Sequence, residues 1–340
     1  MLDLIPLPSS TAAAGSGGDL PDFVREAIAD SVSPNTKANY ASQLRKFSAW
    51  CQKSGRTPLP ASPETVAAYL GALHAAGASP STLTVARAAI KAAHAAADAP
   101  DPTTAAQVRK AAAGFARQSA RAGRVERKAR EFTLSDLSAT LSAIPADDLL
   151  GVRDRALLAF GWWSSMRRAE IAAVRVEHLT SNPDGSITVL IPISKGDKAA
   201  AGQYVQIIPT GGAQCPVRLL SAWLNESGLK SGYLWSPFDM RAHAWRFGRA
   251  IDGKDFARIL RRRAVAAGIE ASRVSGHSTR RGWINAALRA GASALQIREQ
   301  TRHKSDNTLQ RYVVETGAQA RKASGLILAA AAAVDSPSRP

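Results

Sequence analysis

The chain has 340 residues, 44 of them Lys or Arg against 27 Asp or Glu, a formal net charge of +17 at pH 7. Its apolar fraction of 45% excludes disorder over the whole chain, and roughly 100–200 residues per domain predicts two domains. Its two cysteines, Cys51 and Cys215, form no CxxC pair, so neither a disulfide framework nor a cysteine zinc site is supported, and the charge points to a polyanion partner, most simply nucleic acid.

No apolar run approaches the roughly 20 residues of a bilayer span. No basic residue precedes the short apolar stretch at the N-terminus, so it does not read as a signal peptide, and a cytoplasmic, nucleoid-associated protein is expected. Residues 1–20 read as a disordered Ser/Gly/Ala/Pro tail. Residues 21–114 read as helices alone. Ser33-Pro34-Asn35-Thr36 is a helix start, a polar cap followed by Pro in the first turn. That helix carries an apolar face of Tyr40, Leu44, Phe47, Trp50 and Cys51. Ser62-Pro63-Glu64 opens a second helix over 66–76, and Ser79-Pro80-Ser81-Thr82 a third that ends near Asp98. A fourth, short helix is expected over 103–114. Short turns between such helices imply a small bundle.

Residues 115–131 are a basic linker, with Arg117, Arg121, Arg124, Arg127, Lys128 and Arg130. It reads either as a solvated connection or as a strand of chain tracking a phosphate backbone. A second domain, 132–340, opens at Thr133-Leu134-Ser135-Asp136. Its pattern predicts helices at 134–143, 148–164 and 168–174, then strands over 186–194 and 203–208 joined by a basic hairpin tip. Helices are expected again at 216–227, 239–249, 253–267, 279–290, 293–301 and 305–315, with an apolar C-terminal helix over 323–334. The fold class is therefore mainly α (α+β): a helical bundle and a mostly helical second domain with one small sheet.

Residues 248–255 nearly form a P-loop, but Asp255 stands where Ser or Thr would hold magnesium and no buried strand precedes it. No HExxH and no cluster of metal carboxylates is apparent, so no cofactor is expected, and phosphate chemistry here needs cationic side chains. Four features could supply them. In Ser275-Gly-His277-Ser-Thr-Arg280, His277 and Arg280 lie three apart at a helix opening that also favours an anion; a merely capped helix fits too. In Met166-Arg167-Arg168-Ala169-Glu170-Ile171, Arg167 and Glu170 are again three apart beside apolar residues, a ligand site or a simple ion pair. Arg302-His303-Lys304-Ser305 is followed by Tyr312, one of only 5 tyrosines, and Lys195 sits on the hairpin tip. Alone, Tyr312 also reads as core and Lys195 as a solvated turn residue.

The order Arg, Lys, His-x-x-Arg, His, Tyr resembles the tyrosine recombinase (phage integrase) family, its Cre-type members in particular. Three of these features resemble the family's three boxes, and Ile193-Ser194-Lys195 its hairpin lysine. The residues 33–50 and 78–96 resemble two helices that insert into DNA, so the resemblance covers roughly residues 30–325.

It implies a site-specific recombinase that cuts and rejoins DNA through a covalent 3′-phosphotyrosyl intermediate, storing the bond energy without metal or ATP. Tyr312 suits the nucleophile, His277 its base, and Lys195 the acid for the departing 5′-oxygen. Arg167 and Arg280 suit the two non-bridging oxygens because each presents a fixed fork of donors. His303 would add a hydrogen bond, and Glu170 would orient the arginine or histidine. Candidate DNA contacts are Lys37, Asn39, Gln43, Thr84 and Arg87 in the first half and Lys254, Arg258, Arg261, Arg262 and Arg263 in the second, the two halves clamping the duplex. The expected partners are double-stranded DNA with an inverted-repeat site and further copies of the chain, a homo-tetramer joined through the C-terminal helix. A type IB topoisomerase is the rival enzyme, which would lack the donated C-terminus. A DNA-binding regulator on the same scaffold is the rival non-enzyme, which would have lost at least one of the catalytic residues.

Overall fold

Ser-Pro-x-Thr opens three successive helices of the N-terminal half, and each opening works in the same way. In a computed structural model that describes residues 33–124, 129–192 and 202–303, these helices are α1 (Pro34–Lys53), α2 (Pro63–Ala75) and α3 (Pro80–Ala96). Proline fixes φ at a position whose N–H has no intrahelical partner. The serine before it accepts the N–H of the following threonine, at 3.3 Å for Ser33–Thr36 and 3.2 Å for Ser62–Thr65 and Ser79–Thr82. A fourth helix, α4 (Ala106–Arg121), follows a 3₁₀ turn at Pro102–Thr104. It runs to Arg121 rather than ending near 114, so the first part of the expected linker is helical. The apolar stripe of α1 packs as its spacing predicts: Phe47 and Cys51 are buried with Tyr69, Leu70, Ile90 and Val108, and Leu44 and Trp50 lie against them. The buried His94 joins this core as a structural cross-link. Its Nδ1 pairs with the Ile90 carbonyl and its Nε2 accepts the Ala61 N–H, both at 2.8 Å.

The chain divides into two compact units, Met1–Arg127 and Lys128–Pro340. The second is built around α6 (Leu149–Trp163), buried from Ala156 to Trp162. α5 (Leu134–Ser142) and α8 (Pro216–Ser227) pack on it, with α9 (Gly253–Ala266) and α10 (Ser278–Ala290). Two glycines allow the close fit. Gly161 faces the ring of Phe256, and a Cβ on Gly282 would overlap the Phe132 carbonyl, which also accepts Trp162 Nε1–H at 2.8 Å. The short α7 (Arg168–Ala173) follows α6, and α11 (Ala294–Thr301) follows α10.

The expected hairpin is two strands of a three-stranded antiparallel sheet, β1 (Leu179–Ser181), β2 (Ile187–Ile191) and β3 (Gln203–Ile207). Val189 opposes both Leu179 and Val205, and Ile187, Val189 and Ile191 turn to the core. β1 escaped the sequence reading because three residues carry almost no period. One expectation fails: 239–249 is not a helix. Asp239 Oδ1 accepts the N–H groups of Arg241 and Ala242, at 2.9 and 3.1 Å, which closes a turn. His243 then takes a left-handed conformation (φ 46°), and β4 (Phe238–Asp239) pairs with β5 (Ala244–Trp245). The apolar residues that mimicked helical spacing instead stack as Phe238, Trp245 and Phe247. Lys195 with the hairpin tip, the helix expected over 305–315, Tyr312 and the C-terminal helix over 323–334 lie outside the described residues. No helix among the described residues is long and apolar enough to cross a membrane.

Candidate functional site

The first box folds as the turn into α7. Arg167 holds the cap position and Glu170 reaches back to it: Oε2 accepts the Arg167 N–H and Oε1 accepts Nη1–H, both at 2.8 Å. The carboxylate is 5% exposed while the Arg167 side chain keeps 25%, so the arginine faces outward from a buried anchor. Burial opposes ionisation of Glu170, yet its pKa is lowered, because Arg302 and the hydrogen bonds from Arg167 outweigh the desolvation.

The second box caps α10. Ser275 N–H donates to Ser278 Oγ at 2.9 Å, and His277 N–H donates to Ser275 Oγ at 3.2 Å. His277 stays exposed at the cap, whereas Arg280, one turn in, is 4% exposed. Arg280 spans the centre of the site. Its Nη1 donates to the Ser165 carbonyl at 2.6 Å, and its Nη2 donates to the Thr301 carbonyl at 2.5 Å and lies 3.1 Å from His303 Nε2. Gly276 lets the first two boxes meet, since a Cβ there would press on the Arg168 side chain.

The third box begins where α11 ends. Arg302 takes a left-handed conformation (φ 57°, ψ 42°) as the C-cap, and its N–H donates to the Arg298 carbonyl at 2.6 Å. Its Nη2 donates to Glu170 Oε2 at 2.7 Å, and both side chains are 5% exposed. His303 follows. Thr301 Oγ1 donates to the Ile297 carbonyl at 2.6 Å, so at 2.7 Å from His303 Nδ1 it acts as the acceptor. That places the proton on Nδ1 and leaves Nε2 to accept from Arg280. Burial, with Arg280, Arg167 and Arg302 adding repulsion, pushes the His303 pKa down to about 4, and the ring is neutral.

Arg167 and Glu170, bonded to Arg302, and Arg280, bonded to Thr301 and His303, are thus brought together at the turn 301–303, with His277 at the mouth of the helix that carries Arg280. Sequence reasoning gave no role to Arg302, Thr301 or Ser165. The available signal was the pairing of Arg302 and His303 directly after the last apolar turn of α11. Ser165, like Arg302, is a non-glycine residue with positive φ (51°); strain of this kind gathers at sites the surrounding fold holds in place.

The candidate DNA contacts are less uniform. Lys37 and Asn39 are exposed on α1, whereas Gln43 is half-buried and its Oε1 has no hydrogen-bond partner among the described residues. On α3, Thr84 is exposed but donates to its own helix at Pro80 O, 3.0 Å away, and Arg87 is half-buried. On α9, Lys254 and Arg258 are exposed, Arg258 pairing with Asp255. Arg261 donates twice to the Val274 carbonyl, at 3.3 and 3.0 Å, while Arg262 and Arg263 both reach the buried Asp154. All three guanidiniums have partners within the fold, although Arg261 and Arg262 remain exposed.

The sequence matches the model of the phage integrase family over residues 131–318 and that of the phage integrase N-terminal SAM-like domain over 23–99. It is 32% identical over 286 residues to an integrase/recombinase XerD homologue of Selenomonas ruminantium, covering 83% of this chain and 82% of that one. It is 24% identical over 340 residues to the recombinase Cre of Escherichia phage P1, covering 94% and 96%. The fold is similar to that of the XerH site-specific recombinase bound to palindromic difH substrate in a post-cleavage complex, with a TM-score of 0.60, 17% identity and coverage of 84% of this chain and 78% of that one. With its boxes converging in space and its family models spanning both units, the chain belongs to the phage integrase family of tyrosine recombinases.

Proposed function

We propose that this recombinase cuts and rejoins double-stranded DNA at a specific inverted-repeat site through a 3′-phosphotyrosyl bond to Tyr312, with no metal ion and no ATP. One observation carries the reading: Arg280 is bonded at once to Ser165 beside the first box and to Thr301 and His303 of the third, so residues far apart in sequence form one cationic site. A transferring phosphodiester concentrates negative charge on its two non-bridging oxygens, and two guanidinium forks answer that charge. In this reading the Tyr312 oxygen attacks phosphorus, and its proton passes to the exposed His277. The 5′-oxygen leaves with a proton from Lys195. A 5′-hydroxyl then attacks the aryl ester, and the same transfers run in reverse. Arg167 and Arg280 hold the phosphoryl oxygens throughout, and Glu170 fixes Arg167.

Exposed Lys37 and Asn39 in the N-terminal unit, and Lys254 and Arg258 in the C-terminal unit, are the first choices for DNA contacts, most of them to phosphate. Exchange between two duplexes cuts four strands and needs four nucleophiles, so the working form is a cyclic tetramer on DNA. The apolar segment 323–334 would close it by docking on the neighbouring subunit.

The test is a nicked duplex incubated with the protein and run in denaturant. An adduct is expected with the native chain, in excess EDTA as well, and none with Tyr312→Phe, which still binds DNA. An adduct that survives in Tyr312→Phe would overturn the assignment. Deleting residues 322–340 should leave single-site binding and remove assembly on two-site DNA; tetramers of the truncated chain would refute the docking role.

A further inference from the structure

Arg302 opens the third box, yet the proposed chemistry gives it no role. Its environment is unusual in three ways. The backbone is left-handed at φ 57°, where glycine would be unstrained and a long side chain is not. The side chain is 5% exposed although it carries a charge. And that charge ends on a carboxylate already holding Arg167: Glu170 Oε2 accepts both the Arg167 N–H and Arg302 Nη2–H, while Oε1 accepts Arg167 Nη1–H. Nε and Nη1 of Arg302 have no hydrogen-bond partner among the described residues. Burying a charged group with donors unspent is costly, and a merely structural purpose would be met as well by apolar packing.

We infer that Arg302 is a positioning residue for phosphoryl transfer, tying the first box to the third through Glu170. Three consequences follow from the geometry. Glu170 with Arg167 alone is a neutral pair, and the carboxylate would draw down the attraction of Arg167 for an anion. A second guanidinium on the same carboxylate restores a net positive charge while keeping Arg167 oriented. The Arg302 peptide also leads directly into His303, so one residue sets the position of Arg167 through Glu170 and of His303 through the chain. The Arg302–Glu170 pair is a direct side-chain link between the first box and the third. The left-handed backbone and the guanidinium then serve one purpose: the turn aims the side chain back under α7.

This inference rests on the phosphotyrosyl reading above, and the experiment separates the two. Nicked duplexes with a random core are selected for denaturant-resistant attachment to the native chain, and the recovered duplex is the probe. If the native chain captures no duplex, the phosphotyrosyl reading fails and the role of Arg302 falls with it. With a probe in hand, single-turnover adduct formation and duplex affinity are measured for Arg302→Gly and Arg302→Lys. Arg302→Gly suits the left-handed backbone, and a loss of rate of about 10–100-fold is expected, the range for a charge-assisted hydrogen bond acting at one remove. Duplex affinity should change by less than about threefold, since the contacts to the duplex lie elsewhere. Arg302→Lys keeps the charge but not the fork and should fall between. Millimolar guanidinium should raise the rate of Arg302→Gly severalfold, a rescue that a repacking defect would not show. In a Glu170→Gln background, Arg302→Gly should cost clearly less than it does alone. A native rate in Arg302→Gly overturns the inference. So does a loss that guanidinium leaves untouched and that is undiminished in the Glu170→Gln background.

Discussion

Asp154 and Glu170 are buried carboxylates of the same unit, each held by more than one arginine, and what surrounds them differs. Asp154 is 0% exposed. Its Oδ1 accepts Arg153 Nε and Nη2, at 2.8 and 2.6 Å, and its Oδ2 accepts Arg263 Nε at 2.6 Å and Arg262 Nη2 at 3.2 Å. Arg153 spends another donor on the Ser236 carbonyl and lies over the ring of Trp245. The group therefore clips α6 to α9 and to the strand pair β4–β5. Glu170 also has arginines on both oxygens, but one of them, Arg167, faces outward, and the neighbours are Arg280, His303 and the cap of α10. An arginine–carboxylate group is thus not evidence of a site by its chemistry. It becomes one where a guanidinium is held by the carboxylate and still presents itself to a second set of cationic and titratable residues.

The comparison breaks most sharply at Asp154. Asp154→Asn leaves three arginines facing a neutral amide, and breaking a buried pair of this kind costs about 3–5 kcal/mol. The unfolding midpoint of the variant should fall steeply in urea, while the folded fraction still forms adduct with a nicked duplex at nearly the native rate. A variant of native stability and poor cleavage would make Asp154 part of the chemistry and erase the distinction. Arg167→Ala should show the reverse. Glu170 keeps Arg302, so the fold loses little, but removing a preorganised donor to a phosphoryl oxygen lowers single-turnover cleavage about 10²–10³-fold. Native cleavage in this variant would move the oxyanion role away from the first box.

The same contrast shows what could be read before any coordinates. Helix starts were legible because Ser-Pro-x-Thr is a local device: cap, fixed φ and acceptor lie within four residues. The boxes were legible because each packs its chemistry into one turn. The Arg167–Glu170 pairing was legible at three residues' spacing, but the remote half of each grip was not: Arg302 stands 132 positions from Glu170, and Arg263 stands 109 from Asp154. Arg262 and Arg263 show the same limit: an arginine on a helix face gives no local sign of a buried carboxylate 108 or 109 positions away. The expected helix over 239–249 failed on a different ground. Its apolar spacing was real, but Asp239 competed for the backbone N–H groups, and a side-chain acceptor at a turn overrides a weak period.

The smallest expected effect sharpens the comparison by pH. His303 belongs to the Glu170 side of the molecule. Its folded pKa is pushed down to about 4 by burial and by Arg280, Arg167 and Arg302, whereas an unfolded histidine titrates near 6.5. Between these values the unfolded chain binds the extra proton, so stability on account of His303 rises with pH across about 4–6.5 and is fully present above it. His303→Gln should flatten the stability–pH profile in that window, with the remaining carboxylates cancelling in the difference from the native chain. Asp154→Asn should leave the slope from His303 in place on a lower curve. In the proposed mechanism, DNA would reverse the local balance. Nε2 accepts from Arg280 in the free protein, so a hydrogen bond from this nitrogen to a phosphate oxygen requires a proton there, and the phosphate charge favours the imidazolium. Duplex binding should therefore take up protons, and affinity should strengthen as pH falls through the window, an effect measurable by calorimetry in two buffers of different ionisation enthalpy. Equal proton uptake by His303→Gln would show that His303 does not titrate on binding, and would leave it the neutral partner that holds Arg280 in place.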